Sequence, residues 1–234
     1  MKSRWAKTVV TVLGAVVLST LGIYASDTLQ GIDSKINFAG VKNGGLCNEG
    51  SVPLKTDFGV VCVDRYEASP SINCPHTSLS NTIESEQNAN SKDCYAESVK
   101  DALPWGYVSL PQAQRMCANA GKRLPTSAEW YHFALGTNPD ECTLDGNSIS
   151  KTGRESCVSS IGAYDVVGNV WEWVDESIHG STFRDRQLPK EGYVTSVDSD
   201  GIAITSGDQA DELYGKDYFW SKEEGIFGMI RGGF

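Results

Sequence analysis

Seven cysteines, three histidines and a group of carboxylates set among tryptophans hold most of the chemistry this sequence could perform. The cysteines are Cys47, Cys62, Cys74, Cys94, Cys117, Cys142 and Cys157, and no two of them form a Cys-x-x-Cys pair. With so few histidines to complete a site, a zinc ribbon is a poor fit, and structural disulfides in an oxidising compartment are the better reading. Cys47 with Cys62 and Cys142 with Cys157 flank glycine-containing loops, and Cys74 with Cys94 brackets a stretch rich in serine and asparagine. Closing each such loop of about 15–20 residues would add roughly 3 kcal/mol by constraining the unfolded chain. Cys117 is then left over. His76, His132 and His179 have no His-x-x-x-His spacing and read as surface or loop residues. No Gly-x-Ser-x-Gly elbow occurs, so a serine nucleophile has no support. Asp198-Ser-Asp200-Gly201 looks like a calcium loop but lacks a downstream bidentate glutamate, and it reads as a turn. Trp171 and Trp173 alternate around Glu172, so on an extended segment both rings face one side and the carboxylate faces the other.

Two helices are marked out to hold these residues. Ser109-Leu-Pro-Gln112 is a capping box, followed by Ala113, Met116, Cys117 and Ala120 at one-face spacing, with Gly121 as the stop. Thr126-Ser-Ala-Glu129 is a second capping box, with Trp130, Phe133 and Ala134 on one face and Gly136 closing the helix. Between them, Pro125 just before an N-cap fixes the interhelical angle, and Arg123 has Glu129 or a more distant carboxylate as a partner. Gly59 to Glu67 is β-branched and aromatic and predicts a buried strand, whereas residues 69–98 predict a stapled surface loop. Tyr164–Trp173, Gly192–Val197 and Phe227–Arg231 read as short β pieces. The class is α+β, with two packed helices, short strands and much irregular structure.

The 234 residues are 40% apolar and 21% charged, enough to bury a core. Net charge is −10, and because the first 30 residues are net positive, the remainder is more acidic still. Such a surface repels phosphate backbones and excludes nucleic-acid binding through a basic face, but suits calcium or a neutral ligand. Lys2, Arg4 and Lys7 precede an uncharged stretch from Thr8 to Ser26. Residues 1–26 therefore read as a signal peptide cleaved after Ala25 or as an uncleaved membrane anchor, and either one exports the rest of the chain. Residues 27–45 read as a polar linker and 46–234 as the folded domain.

Three motifs carry a family resemblance. Gly121-Lys-Arg-Leu-Pro-Thr-Ser-Ala-Glu-Trp130, Tyr164-Asp-Val-Val-Gly-Asn-Val-Trp-Glu-Trp173 and Arg231-Gly-Gly233 resemble, in order and spacing, the sulfatase-modifying-factor family of formylglycine-generating-enzyme-like domains. The resemblance covers roughly residues 45–234 and implies a variant of the C-type lectin fold. It further implies a structural calcium ion held by the side chains of Asp165 and Glu172 and the main-chain oxygens of Gly168 and Val170, a hard-oxygen set in keeping with calcium chemistry.

The family's enzymes oxidise a cysteine of a substrate protein with a copper-binding cysteine pair that follows the Arg-Gly-Gly segment. Here every cysteine lies at or before Cys157, so copper enters only with a C-terminal part beyond Phe234, and the chain is expected to be truncated there. The resemblance also pairs Cys117 with a cysteine in that far C-terminal part. Neither a cysteine pair of this kind nor an iron-binding histidine cluster occurs in this sequence. Two functions are compatible with these residues. One is an exported, non-catalytic surface module that binds an extracellular ligand or protein, attached to the membrane wherever the N-terminal segment stays uncleaved. The other is a formylglycine-generating-type oxidase whose catalytic segment lies beyond residue 234.

Overall fold

A computed structural model describes residues 46–144 and 148–233, which lie in one compact unit running from Gly45 to Phe234. The signal or anchor at 1–26 and the linker at 27–45 fall outside the described residues. The domain opens with an antiparallel hairpin of β1 (Ser51–Thr56) and β2 (Gly59–Asp64), which pairs Val52 with Val63 and Leu54 with Val61. β2 is shorter than the Gly59–Glu67 expectation and mostly exposed. Val60 is 48% exposed and only Val63 reaches the core, because the strand lies at the edge of a two-stranded ribbon.

The stretch 69–98 is not simply a loop. β3 (Ala68–Pro70) pairs with β4 (Ala96–Ser98), and α1 (Thr82–Asn90) lies between them. Hydrophobic periodicity misses α1 because its buried face is polar. Ser85 accepts the Trp105 indole N–H at 3.0 Å, and Asn88 exchanges two hydrogen bonds with the His76 backbone. Its start is nonetheless written in the sequence: Asn81 accepts the N–H groups of Ile83 and Glu84, with Glu84 in the first turn.

α2 (Leu110–Asn119) and α3 (Ser127–Ala134) stand where the capping boxes put them. Gly121 takes φ +70 after α2, and the N–H groups of Gly121 and Lys122 close on the carbonyls of Ala118 and Cys117. This 5→2 and 6→1 pattern is a Schellman stop, and the left-handed position favours glycine.

The C-terminal half is built from two small antiparallel sheets. In one, β5 (Glu172–His179) lies between β11 (Ile226–Arg231) and β6 (Thr182–Phe183), and β7 (Arg186–Gln187) forms the far edge. In the other, β8 (Gly192–Val197) is central between β9 (Ala203–Gly207) and β10 (Tyr218–Phe219). Tyr164–Trp173 is a loop rather than a β piece, with a single bridge from Tyr164 to Val158, and the strand begins only at Glu172. Asp165 and Asn169 both take φ +58, which breaks any extended run.

One core cluster joins Val52, Leu54 and Val63 of the hairpin to Trp130 and Phe133 of α3 and Val174 of β5. A second gathers Trp105 and Met116 around the Cys74–Cys94 bridge, and a third holds Phe183, Leu188 and Ile202. The protein is thus mixed α+β.

Candidate functional site

Three disulfides, Cys47–Cys62, Cys74–Cys94 and Cys142–Cys157, staple the hairpin and two loops, and Cys117 keeps a free thiol. Burial pushes that thiol up to about 11, so at neutral pH it is a protonated thiol and a weak nucleophile. Cys117 sits on α2, on the wall of a cavity of about 730 Å³ bounded by the hairpin, α2, α3 and the start of β5.

The charges on that wall fall into two sets. Among the described residues lining the cavity, Asp64, Glu67, Glu129 and Glu172 are acids, and Lys122 and Arg123 are bases. Both bases are taken. The Schellman stop delivers Lys122 to Asp64, at 2.8 and 2.9 Å to its two carboxylate oxygens. Arg123 meets Glu129 through two guanidinium nitrogens at 2.6 and 2.7 Å, while Glu129 also accepts the Thr126 N–H in the capping box. The Arg123 hydrogen bonds hold the Glu129 carboxyl below its ordinary value. Arg123 is therefore a structural partner of the α3 N-terminus.

Glu67 and Glu172 are the other set. Glu67 is 6% exposed and accepts hydrogen bonds from the Asn169 side chain and the Val170 N–H. Glu172 accepts the Trp130 indole N–H. These donors are neutral, and among the described residues neither carboxylate has an ion-pair partner. Burial pushes Glu172 up to about 7, and burial followed by the nearby Glu172 charge raises Glu67 well above the usual carboxylate range.

Trp105 and Trp173 line the same cavity. The Trp105 backbone N–H donates to the carbonyl of Ala68, and the Trp173 indole N–H donates to the carbonyl of Val108 at 2.9 Å.

The loop Asp165–Val170 carries this floor. Gly168 has φ +85, and a Cβ built there would lie 2.3 Å from the Thr143 carbonyl oxygen, so only glycine fits. Asn169 donates its N–H to Thr143, accepts the Ser150 N–H at 2.7 Å and donates to the Ser150 carbonyl and to Glu67, tying three segments together.

The four residues that the resemblance assigns to calcium divide here. A Cβ built on Gly232 would lie 3.3 Å from the Val170 carbonyl oxygen, 3.4 Å from that of Val166 and 3.9 Å from Cγ of Glu172. Val170 and Glu172 thus both border Gly232, with the Val166 and Val170 carbonyl oxygens turned to the same spot. Asp165, 3% exposed, directs its carboxylate to the N–H groups of Gly153 and Arg154, and Gly168 packs on Thr143. The fit is therefore partial. Among the described residues no three His, Cys, Asp or Glu side chains converge as a metal cluster.

The remaining residues singled out in the sequence lie elsewhere. Asp198 accepts the N–H groups of Asp200 and Ile202 and pairs with Arg186, while Asp200 pairs with Arg184, as a turn does. His76 meets Gln87, His132 faces the Ala128 carbonyl, and His179 is exposed on β5. Trp171 and Trp173 both line the cavity. Trp173 turns inward, and Trp171, just outside the strand, is 40% exposed and packs edge-on against Trp220 at 6.5 Å. Sequence reasoning misses Glu67 as an acid of the site. Its only local signal is a lone glutamate after an apolar strand.

Comparison with known proteins agrees with the motifs. A formylglycine-generating enzyme of Mus musculus is 30% identical over a stretch covering 32% of this chain and 28% of that protein. An inactive C-alpha-formylglycine-generating enzyme 2 of Bos taurus is 28% identical over 41% of this chain and 40% of that protein. The chain is related distantly, and over part of its length, to formylglycine-generating enzymes; the matched stretches span less than half of either relative. No family model matches the chain, and no solved structure matches it.

Proposed function

We propose that this domain is an exported, non-catalytic ligand-binding module of the formylglycine-generating-enzyme type, in a variant of the C-type lectin fold. The observation that carries the reading is the cavity: a recess of about 730 Å³, within the range of small-molecule sites, with largely apolar walls and two carboxylates, Glu67 and Glu172, that have no ion-pair partner among the described residues. Three disulfides suit an oxidising, exported setting, and one of the two relatives is itself described as inactive. Calcium belongs to the proposal as a structural ion. Val170 and Glu172 are the residues that would hold it, and its chemistry there is to order the Asp165–Glu172 loop by charge, not to activate water.

The mouse relative, a formylglycine-generating enzyme, supports a second reading, a formylglycine-generating-type oxidase of protein cysteines whose catalytic segment would lie beyond residue 234. The test incubates the protein with copper and a cysteine-containing sulfatase peptide and follows the peptide by mass spectrometry. The peptide should remain unchanged. Loss of mass on conversion of its cysteine to an aldehyde would overturn the binding-module reading.

A further inference from the structure

The sheet of β8, β9 and β10 turns one face to the core and the other to solvent. Phe219 packs against the third core cluster, whereas Tyr218 and Trp220 on either side of it are 49% and 46% exposed and belong to the outer face. Tyr218 stands opposite Tyr193 across the β10–β8 pair, and Tyr193 stands opposite Gly207 across the β8–β9 pair. The two tyrosine rings meet edge to face, 5.1 Å apart at 88°. Such a contact covers a face of one ring only, and Gly207 has no side chain to close the far end of the row. Aromatic surface is left open to water, as at interaction sites.

The groups that border the rings select the partner. The Tyr218 hydroxyl donates to Glu191 at 3.0 Å, a hydrogen bond that holds this hydroxyl above its ordinary value, and the charge of Asp208 adds to the effect. Neither Glu191 nor Asp208 has an ion-pair partner among the described residues. A carboxylate only accepts hydrogen bonds, at about four positions, and the phenol occupies one of those on Glu191. The hydroxyls farther along β8 and β9 satisfy one another: Thr205 bonds Thr195 at 2.8 Å and also Ser196. The face therefore presents flat rings beside free acceptors. An anion is repelled, and a saccharide brings as many acceptors as donors. An arginine brings donors alone, in a planar fork that stacks on a ring while its edge meets a carboxylate. A lysine matches the charge but not the plane.

We propose that the outer face of the β8–β9–β10 sheet docks an arginine-bearing segment of a partner protein, with a guanidinium stacked on the Tyr193–Tyr218 pair and hydrogen-bonded to Glu191, and with Asp208 answering a neighbouring basic residue. The net charge of −10 draws such a segment toward the protein from a distance, and the rings with Glu191 fix where it settles. This inference goes beyond the binding-module reading, which stands on the cavity, and uses none of the cavity's carboxylates.

The experiment titrates the full chain at low salt with a short blocked peptide of alternating glycine and arginine, with its counterparts carrying citrulline or lysine in place of arginine, and with maltotriose. Calorimetry should show the arginine peptide binding about tenfold more tightly than the neutral citrulline peptide and about threefold more tightly than the lysine peptide. Glu191→Gln and Tyr218→Ala should each weaken the arginine peptide about fivefold. Glu86→Gln on α1 removes an equal charge elsewhere and should change its binding by less than about twofold. Glu191 is exposed, so its isosteric variant decides the question even where Tyr218→Ala disturbs the sheet. Equal binding of the citrulline or lysine peptide would overturn the inference, and equal losses from Glu86→Gln and Glu191→Gln would reduce it to a diffuse attraction and refute it. Binding of maltotriose without the arginine peptide would make the face a saccharide site, and no binding of any probe would equally refute the proposal.

Discussion

The rim and the floor of one cavity treat the same chemical group in opposite ways. At the rim, Glu129 sits at the start of α3, where Arg123 grips it with two nitrogens and the helix N-terminus adds a backbone donor, and its carboxyl is held below the ordinary value. On the floor, Glu67 and Glu172 meet an amide, a backbone N–H and an indole, and burial lifts both above it. The rim carboxylate stabilises the fold through its charge, whereas the floor carboxylates are carried at a cost. Four predictions test the contrast.

The largest effect lies where floor and core share one ring. Trp130 is 7% exposed, donates its indole N–H to Glu172 and lies 5.7 Å beneath the Arg231 guanidinium. Trp130→Ala should cost about 3–5 kcal/mol, read from guanidinium unfolding, because it leaves a cavity and strips Glu172 of its donor. A loss under about 1 kcal/mol would remove Trp130 as the support of the floor.

Next comes the dependence on pH. Glu172 is raised from its ordinary 4.5 to about 7, so the folded state holds the proton after the unfolded chain has released it. Stability of the ligand-free protein in chelator is therefore greatest below pH 4.5 as far as this group is concerned, and declines as pH rises through the window from 4.5 to about 7. The loss should not exceed about 3 kcal/mol. Glu129 runs the other way: its stabilisation is present above the ordinary carboxylate value and is lost as pH falls. Denaturant titrations at pH 5 and pH 7.5 measure the balance, and unfolding free energies for wild type and Glu172→Gln that change in parallel with pH would contradict the assignment.

Neutral isosteres should then give effects of opposite sign. In chelator, Glu172→Gln removes a buried carboxylate without an ion-pair partner among the described residues and should gain about 1–2 kcal/mol at pH 7.5, whereas Glu129→Gln loses a charge-assisted pair and should cost about 1 kcal/mol. Thermal unfolding of the two variants side by side measures this. Equal signs would mean that floor and rim do not differ as described.

The smallest effect concerns Cys117. Cys117→Ser should change stability by less than about 1 kcal/mol, since the residue faces a cavity instead of a filled core. With its thiol at about 11, alkylation by iodoacetamide should be slow at pH 7 and rise about tenfold per pH unit up to about pH 10. A rate that is flat across pH 7–9 would show a thiolate already formed.

Much of this was legible in local sequence. Both capping boxes, the Gly121 stop, the Arg123–Glu129 pair and the loop-closing disulfides are decided within about twenty residues of chain, and α2, α3 and the rim of the cavity follow from them. Where local rules failed, a long-range contact had replaced the expected signal. α1 hid because Ser85 and Asn88 bury a polar face against Trp105 and the His76 backbone. The stretch before Glu172 is a loop because Asn169 reaches back to Glu67, 102 residues earlier. The sequence by itself determined the helix ends, the paired charges and the family resemblance, since each depends on neighbours along the chain. Only the tertiary structure decided that Glu67 joins Glu172 at the floor of a tryptophan-walled cavity. A buried carboxylate differs from a surface one by the solvent and charges around it, and those come from segments that only folding brings together.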